Sequence, residues 1–296
     1  MNGKIIITTG DPNGIGAEIT IKALNKLDLP TDKVLLVSNK KILNTYGKLN
    51  KDYEIFEIPF DEDVQFGKIT KACGEFSFQS VKQACQLNGK AIVTAPVAKN
   101  AMHLAGHNFN GQTEILQKYL AKDGQSAEML FVAGNFRVLL LTRHCALKDI
   151  NLTKEIVVNK IINLQKVFET QFNIKNPKFA LCGFNPHAGE NGILGTEEIE
   201  ILQPAVDILR QNGVDITDPL PADTLFVKYS NYDCIIANYH DQGLIPIKTV
   251  AGNKTVNMTI GLDIVRTSPG HGTAFDIAGK NIADETSIIE AIKSVL

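Results

Sequence analysis

Three histidines occupy equivalent positions, each shortly after an apolar run of the kind that forms a buried strand. They are His144 in "LLLTRHCAL", His187 in "LCGFNPHAGENG" and His240 in "IIANYHDQG". Open α/β sheets bind ligands at the carboxyl ends of their strands, and three imidazoles with an open coordination position suit zinc, cobalt, nickel or iron better than magnesium or calcium. One histidine at a strand end is most often structural, but three in parallel positions favour a metal site.

A second set of polar residues has the chemistry to recognise an anion. Lys248 follows His240 in the same segment, Arg266 opens "RTSPGHGTAFDIAGK", and Asn257 lies between them. An arginine supplies a planar fork and a lysine a point charge, which together suit a phosphate and a carboxylate. The alternative is that both cations are solvated at the surface.

The segment "HGTAFDIAGK", residues 271–280, is rich in small residues around Asp276. Small residues permit a close approach between backbone and ligand. The alternative is a tight loop before the last helix.

The segment "ITTGDPNGIGAE", residues 7–18, resembles a nucleotide-binding loop but fits neither common pattern. Gly10, Gly14 and Gly16 give G-x-x-x-G-x-G instead of the dinucleotide spacing, and no Gly-Lys-Ser/Thr follows. A ligand-facing loop and a plain strand-to-helix turn, with Asp11 capping the helix, stay open as alternatives.

Short β-branched runs alternate with amphipathic segments, which predicts a mostly parallel, doubly wound sheet. The predicted strand and helix pairs are "KIIITT" with 16–27, "KVLLVS" with 39–47 and "AIVTAP" with 112–121. "AEMLFVAGNFRVLLLT" instead predicts an antiparallel hairpin turning at Gly134 and Asn135. Further along, "KFALCG" and "DCIIAN" predict buried strands, and helices are expected from near Thr196 and over 285–295.

The bulk composition is that of an ordinary folded protein. The chain has 296 residues, 44% of them hydrophobic and 21% charged, with a net charge of -2. These values predict two domains or one large α/β unit, and they argue against a nucleic-acid or membrane partner. The first apolar run is too short for a signal peptide, so we expect a cytoplasmic location.

The five cysteines are scattered, with no C-x-x-C pair. We expect reduced, mostly packed thiols, because no arrangement that would activate a nucleophilic cysteine is visible.

Several motifs together resemble one enzyme family. "GDPNGIGAE", "TAPVAKNAMHLAG", "GQTEIL", "CGFNPHAGENGILGTEE", "PLPADTLF", "NYHDQGLIPIK" and "IGLDIVRTSPGHGTAFDIAGK" occur in the order seen in the 4-hydroxythreonine-4-phosphate dehydrogenase family of pyridoxine biosynthesis. The resemblance implies an α/β fold of two α/β/α domains, of the isocitrate and isopropylmalate dehydrogenase type, with the active site in the interdomain cleft. We place the first domain at residues 1–128 and 262–296, and the second, with the interface of a homodimer, at 129–261.

The resemblance also assigns roles to individual residues. His144, His187 and His240 match the family's ligands for a divalent metal, zinc foremost with cobalt or magnesium as alternatives, and His240 reaches in from the partner subunit. The residues that match substrate contacts are Gln112, Thr113, Lys248, Asn257 and Arg266. The loop that resembles the site of NAD or NADP contains His271, Gly272, Thr273, Ala274 and Asp276.

Two departures from the family pattern bear on the substrate. Gln112 stands where the family usually has the histidine of a His-Thr pair, and an amide hydrogen-bonds but carries no charge. His144 is preceded by Arg143, and the proline that commonly follows two residues later is absent.

The implied reaction is the metal-dependent, NAD(P)-linked oxidation of 4-phosphohydroxy-L-threonine to a β-keto acid, which decarboxylates to 3-amino-2-oxopropyl phosphate. Asp241 and Lys248 are the candidate bases. One alternative is the same chemistry on a four-carbon sugar-acid phosphate such as threonate or erythronate 4-phosphate. Alternatives of other classes are a metal-dependent phosphate-ester hydrolase and a phosphosugar-binding protein without catalysis.

Overall fold

Runs of β-branched and other apolar residues form short, mostly buried strands in the computed structural model, which describes residues 3–296. The strands are β1 (Ile5–Thr8), β2 (Val34–Ser38), β3 (Glu54–Glu57), β4 (Ala91–Thr94), β5 (Glu128–Ala133), β6 (Phe136–Leu140), β7 (Lys178–Leu181), β8 (Asp215–Ile216), β9 (Cys234–Ala237), β10 (Val256–Ile260) and β11 (Val265–Pro269). The helices are α1 (Gly16–Leu27), α2 (Lys40–Tyr46), α3 (Lys71–Gln86), α4 (Lys99–Leu104), α5 (Gln112–Leu120), α6 (Lys154–Thr170), α7 (Gln203–Gln211), α8 (Ala222–Val227), α9 (His240–Ala251) and α10 (Thr286–Lys293).

The chain divides into two compact units. Unit 1 combines the chain up to Ala127 with Asn253–Leu296, and unit 2 is Glu128–Gly252. Residue 261, the expected end of the second domain, lies beyond this boundary, and β10 belongs to unit 1. The reason is that β10 pairs antiparallel with β11 from Val256 to Thr259.

In unit 1 the strands follow the order β3-β2-β1-β4-β11-β10. Every pair except β10 with β11 is parallel. Parallel strands need crossover connections, which the intervening helices provide on the two faces of the sheet. One face is covered by a core that includes Ile19, Leu24 and Ile288, and the other by a core that includes Phe60 and Phe76.

In unit 2 the order is β5-β6-β9-β7-β8, and only β5 with β6 is antiparallel. The hairpin predicted at Gly134 and Asn135 is confirmed, since Ala133 pairs with Phe136. The parallel order of β6, β9 and β7 places three carboxyl ends side by side at one edge of this sheet.

Asp11 does not form the cap considered as one alternative: Ile15 is the N-cap residue of α1 and forms no side-chain cap, while Asp11 Oδ1 accepts a hydrogen bond from the amide of Asn13. The helix expected from near Thr196 is present, and it starts with a π-helical turn, Glu198–Leu202, that leads directly into α7. The cysteines are unpaired, and of the five only Cys145 is exposed, as expected.

Candidate active site

The three histidines of the sequence analysis follow three neighbouring strands of unit 2. His144 follows β6, His187 follows β7, and His240 is the first residue of α9, directly after β9. Since β9 pairs parallel with both β6 and β7, all three histidines come from the same edge of the sheet. This topology is the one that the sequence pattern predicted.

Side chains just beyond β9 tie these strand ends together. Asn238 Nδ2 donates to the carbonyl of Cys182 (2.8 Å), and Thr142 Oγ1 donates to the carbonyl of Asn238 (2.6 Å). Gln242 accepts from the amide of Asn238 at 2.7 Å and donates to the carbonyl of Gly183, also at 2.7 Å. These bonds cross-link the ends of β6, β7 and β9, and the bond from the fully buried Asn238 to Cys182 is shielded from water. Sequence reasoning missed this network, although Gln242 lies within the "YHDQG" motif.

His144 and His240 come close to each other in the same chain. Their ring centroids are 5.5 Å apart. His240 Nδ1 donates to Asp241 Oδ1 at 2.7 Å, which leaves Nε2 as the ring nitrogen available to a ligand. A carboxylate on the distal nitrogen of an imidazole is the usual second partner of a metal-binding histidine.

His187 does not complete that pair. Within residues 3–296, no group of three or more His, Cys, Asp or Glu side chains is arranged to hold a metal ion. The chain therefore brings together two of the three predicted ligands, His144 and His240. The candidate base Lys248 lies in the last turn of the same helix that carries His240, where it is exposed.

His187 begins an unusual backbone segment. Residues 187–191 all have positive φ, with values of 52° at His187, 51° at Ala188 and 43° at Glu190. Left-handed backbone costs roughly 1–2 kcal/mol for each residue that carries a Cβ, so surrounding contacts must hold such a segment. Glu198, which is 6% exposed, accepts hydrogen bonds from Asn185 beside this turn. Apart from the glycines of the motif, no sequence pattern predicts the left-handed turn or the contact between Glu198 and Asn185.

In unit 1, Arg266 on β11 is a buried cation. It is 3% exposed, and its Nε and Nη2 donate to Thr94 Oγ1 at 2.8 and 2.5 Å. Burial lowers the pKa of Arg266, and Cys85 and Glu114 oppose this effect more weakly. A guanidinium has five N–H donors, so a desolvated one that directs Nε and Nη2 to a single hydroxyl can also bind an anion. Arg266 is therefore not the solvated surface cation that the alternative interpretation required.

Gln112 and Arg266 both donate hydrogen bonds at the carboxyl end of β4, where Thr94 and Ala95 lie. Gln112 begins α5, and its Nε2 donates to the carbonyl of Ala95 at 3.2 Å. Its Oε1 is buried and accepts no hydrogen bond within residues 3–296, which also holds for Asn257 Oδ1 on β10. Thr113 is buried next to Gln112. Buried acceptors without donors are expected where a ligand supplies the donor.

The loop 271–280 packs against the glycine-rich segment after β1. The amide of Ile15 donates to the carbonyl of Thr273 at 3.0 Å, and a Cβ at Gly14 would lie 3.0 Å from both the Cβ and the carbonyl oxygen of Thr273. His271, Gly272 and Asp276 are exposed on this loop, whereas Thr273 and Ala274 are half-buried. The segment "GDPNGIG" therefore supports the predicted cofactor loop by close backbone packing.

Asp11 is a buried acid that sequence reasoning treated only as a cap. Its Oδ2 has no hydrogen-bond partner within residues 3–296, and burial raises its pKa from 3.8 to about 6.

Burial also raises the pKa of the thiols of Cys73, Cys85 and Cys234 to about 12, which disfavours a nucleophilic role for them. No helix among residues 3–296 is long and apolar enough to cross a membrane.

Comparison with known proteins gives a consistent picture. The family model described as pyridoxal phosphate biosynthetic protein PdxA matches residues 5–295. The chain is 40% identical to the 4-hydroxythreonine-4-phosphate dehydrogenase of Sulfurihydrogenibium sp., covering 98% of this chain and 96% of that protein. It is 37% identical to the D-threonate 4-phosphate dehydrogenase of Cupriavidus necator, covering 97% and 94%.

The fold is shared with solved structures. A crystal structure of 4-hydroxythreonine-4-phosphate dehydrogenase from Klebsiella pneumoniae superposes with a TM-score of 0.88 at 33% identity, covering 99% of this chain and 98% of that one. Isocitrate dehydrogenase from Methylococcus capsulatus gives a TM-score of 0.53 at 14% identity, covering 99% and 84%. The expected fold class, the isocitrate dehydrogenase type, is therefore confirmed.

Proposed function

The chain belongs to the family of pyridoxal phosphate biosynthetic protein PdxA, and we propose that it oxidises 4-phosphohydroxy-L-threonine with NAD or NADP. The product, a β-keto acid, then loses carbon dioxide to give 3-amino-2-oxopropyl phosphate. Membership of this family of dehydrogenases makes the chain an oxidoreductase of pyridoxal phosphate biosynthesis. The substrate, the metal and the roles of single residues are the proposed part.

The observation that carries the proposal is the buried guanidinium of Arg266. Its Nε and Nη2 donate to the hydroxyl of Thr94, and an anionic ligand would stabilise a buried cation of this kind. Arg266 would hold the phosphorylated end of the substrate, and Gln112, Thr113 and Asn257 would add hydrogen bonds.

The histidines would hold a divalent metal. His144, His187 and His240 would be its ligands, with zinc favoured because imidazole suits it, and with cobalt or magnesium as alternatives. The bound ion would act as a Lewis acid that lowers the pKa of the substrate hydroxyl, and the loop 271–280 would hold the nicotinamide cofactor that takes the hydride.

The chain's own residues would orient the histidines and move the proton. The Asp241 carboxylate accepts from His240 Nδ1, so we assign Asp241 to fixing the ring tautomer. Asp241 and Lys248 are the candidates to take the proton of the substrate hydroxyl as hydride leaves carbon, and Lys248 would do so in its neutral form. When the carbon–carbon bond to the carboxylate breaks, carbon dioxide departs and a proton returns to the substrate carbon.

One specific observation supports a second candidate substrate. Gln112 replaces the histidine that the family usually carries, and a relative that is 37% identical is named D-threonate 4-phosphate dehydrogenase. Threonate 4-phosphate carries a hydroxyl in place of the amino group. The neutral amide of Gln112 suits that uncharged group as well as it suits an ammonium donor.

We propose that the active form is a homodimer in which subunits share the metal site. The incomplete ligand set within one chain supports this proposal. So does an apolar groove of about 560 Å³ between α8 and α9, where Val227, Ile245 and Val250 are largely exposed. Exposed apolar side chains on the helix that carries His240 would be covered by a second copy. In the shared site, His144 and His187 would come from one chain and His240 from the other.

The test is a substrate panel with the purified, zinc-supplied protein and both cofactors. 4-Phosphohydroxy-L-threonine, D-threonate 4-phosphate and D-erythronate 4-phosphate would be compared by absorbance of reduced nicotinamide and by release of free phosphate. The proposal predicts nicotinamide reduction with the first compound, and reduction with the second alone would favour the second candidate. Phosphate release without a cofactor would instead support a hydrolase.

A further inference from the structure

We propose that Glu198 is a positioning residue, which holds the left-handed turn 187–191 and thereby sets the direction of His187 as a metal ligand. The inference rests on the proposed metal-dependent function and deepens it, because it identifies what fixes the third imidazole. Glu198 would contact neither substrate nor metal.

Both oxygens of the Glu198 carboxylate bind the chain directly before His187. Oε1 accepts from the backbone amide of Asn185 at 2.7 Å, and Oε2 accepts from Asn185 Nδ2 at 3.0 Å. The same Nδ2 also donates to Glu197 Oε2 at 2.6 Å. Asn185 therefore donates three hydrogen bonds to two adjacent glutamates. Its backbone and its side chain are both fixed where the left-handed turn begins.

The turn also packs closely around the carboxylate. A Cβ at Gly189 would lie 2.6 Å from Glu198 Oε2, and a Cβ at Gly183 would lie 3.3 Å from Glu198 Oε1. A Cβ at Gly195 would lie 2.3 Å from Asn185 Nδ2. The "CGFNPHAGENGILGTEE" motif thus places glycine where the chain passes Glu198 and Asn185. The positive φ of Gly189 and Gly195 adds a second reason for glycine at those positions.

The carboxylate itself is fixed from the helix side. Glu198 begins a π-helical turn that ends at Leu202 and continues into α7, whose Val206 and Leu209 are fully buried together with Leu202. An acceptor carried by a packed helix can hold a strained loop, whereas a loop without such a support returns to commoner backbone angles. Four residues with a Cβ, His187 among them, have positive φ in this turn.

The test compares Glu198→Gln with Glu200→Gln. Glutamine keeps the size of Glu198, but one of its two acceptors becomes an NH₂ group that faces a donor of Asn185. Glu200 is exposed in the same π-helical turn, so its variant is a matched control. Two readouts are used: deuterium exchange of the peptide spanning residues 185–195, and zinc affinity of the metal-free protein by calorimetry.

For Glu198→Gln we expect exchange in this peptide to rise about ten-fold or more, while peptides from β6 and β9 keep their rates. Zinc affinity should fall by about 10–100-fold, as is usual when a group that orients a metal ligand is lost. For the control variant Glu200→Gln, we expect the exchange of this peptide and the zinc affinity to equal those of wild type. If Glu198→Gln does not fold, Glu198→Ala replaces it, and deuterium exchange of the same peptide is measured.

Unchanged exchange over 185–195 in Glu198→Gln would overturn the proposal, and so would faster exchange with zinc affinity equal to that of the control. Failure of the proposed function gives a different result: the wild-type chain would neither bind zinc nor reduce a nicotinamide. The exchange comparison would then still decide whether Glu198 holds the turn.

Discussion

At the scale of single residues, Arg266 is the clearest sign of a ligand. A fully packed β-strand normally excludes a guanidinium, yet Arg266 is 3% exposed and hydrogen-bonds to Thr94. The sequence placed it among the substrate contacts only through family motifs, because the spacing of Lys248 and Arg266 fits surface cations equally well. Burial of the side chain is a tertiary property, and no local pattern carries it.

Replacing Arg266 by Met should weaken substrate binding without loss of stability. The KM for the phosphorylated substrate should rise on the order of 100-fold, since a hydrogen-bonded charge pair is lost. Thermal stability should stay equal or increase, because an apolar side chain replaces a desolvated cation. Steady-state kinetics and a melting curve measure both, with Arg210→Met in unit 2 as the control. An unchanged KM with a lower melting temperature would make Arg266 a structural residue.

Gln112→His restores the residue that the family usually has. We expect the ratio of kcat/KM for 4-phosphohydroxy-L-threonine over D-threonate 4-phosphate to increase on the order of ten-fold, because a changed hydrogen-bonding group alters the two transition states unequally. The folded structure should persist, since the bond lost from Gln112 is a single long hydrogen bond to the carbonyl of Ala95, at 3.2 Å. A ratio that stays the same would mean that position 112 does not contact the ligand.

At the scale of elements, much of the fold followed from periodicity. The strand at "KIIITT", the helix over 16–27 and the hairpin at Gly134 were predictable, because a β-branched run, amphipathicity and turn residues are local signals. The turn 187–191 was not, since the carboxylate that accepts a hydrogen bond beside it, Glu198, follows later in the chain and no local pattern marks that contact. The cap considered for Asp11 is absent for a similar reason. Its burial comes from tertiary packing, which a capping pattern in the sequence does not contain.

The loop after β1 should give the protein a distinctive pH dependence. Asp11 has its pKa raised by burial from 3.8 to about 6, so between these values the folded state binds a proton that the unfolded state does not. The free energy of unfolding must therefore fall as pH rises through this window, and above it the full penalty is present. Two pKa units correspond to roughly 3 kcal/mol.

Asp11→Asn should remove that penalty. As pH rises from about 4 to about 7, the free energy of unfolding of the variant should increase by roughly 2–3 kcal/mol relative to that of wild type. Urea unfolding at several pH values measures this difference. The exposed Asp32→Asn is the control and should follow wild type throughout. A variant that parallels wild type over this range would show that Asp11 titrates normally.

At the scale of the whole molecule, the open question is which chain supplies each histidine. Within one chain His144 lies close to His240, while the shared-site proposal takes His240 from a second copy. Sequence motifs could not separate these arrangements, because all three histidines follow strands at the same edge of one sheet. Only an experiment that mixes subunits separates them.

Mixed dimers of His144→Ala and His240→Ala make that test. Each variant alone should be inactive, but in a shared site the mixed dimer contains one intact set of ligands. Random exchange makes about half of the dimers mixed, each with one intact site, so activity should recover to about a quarter of wild type. Co-expression ensures exchange. Verified mixed dimers without activity would place His144 and His240 of one chain in the same site.

The central claim is that this chain couples nicotinamide reduction to decarboxylation of a phosphorylated four-carbon acid. The most direct measurement is the stoichiometry of one reaction of the zinc-supplied protein with 4-phosphohydroxy-L-threonine and NAD or NADP. Reduced nicotinamide, carbon dioxide and free phosphate would be quantified on the same sample. We predict equal amounts of reduced nicotinamide and carbon dioxide, with no phosphate released. Phosphate release without nicotinamide reduction, on this substrate and on the threonate and erythronate phosphates, would contradict the account.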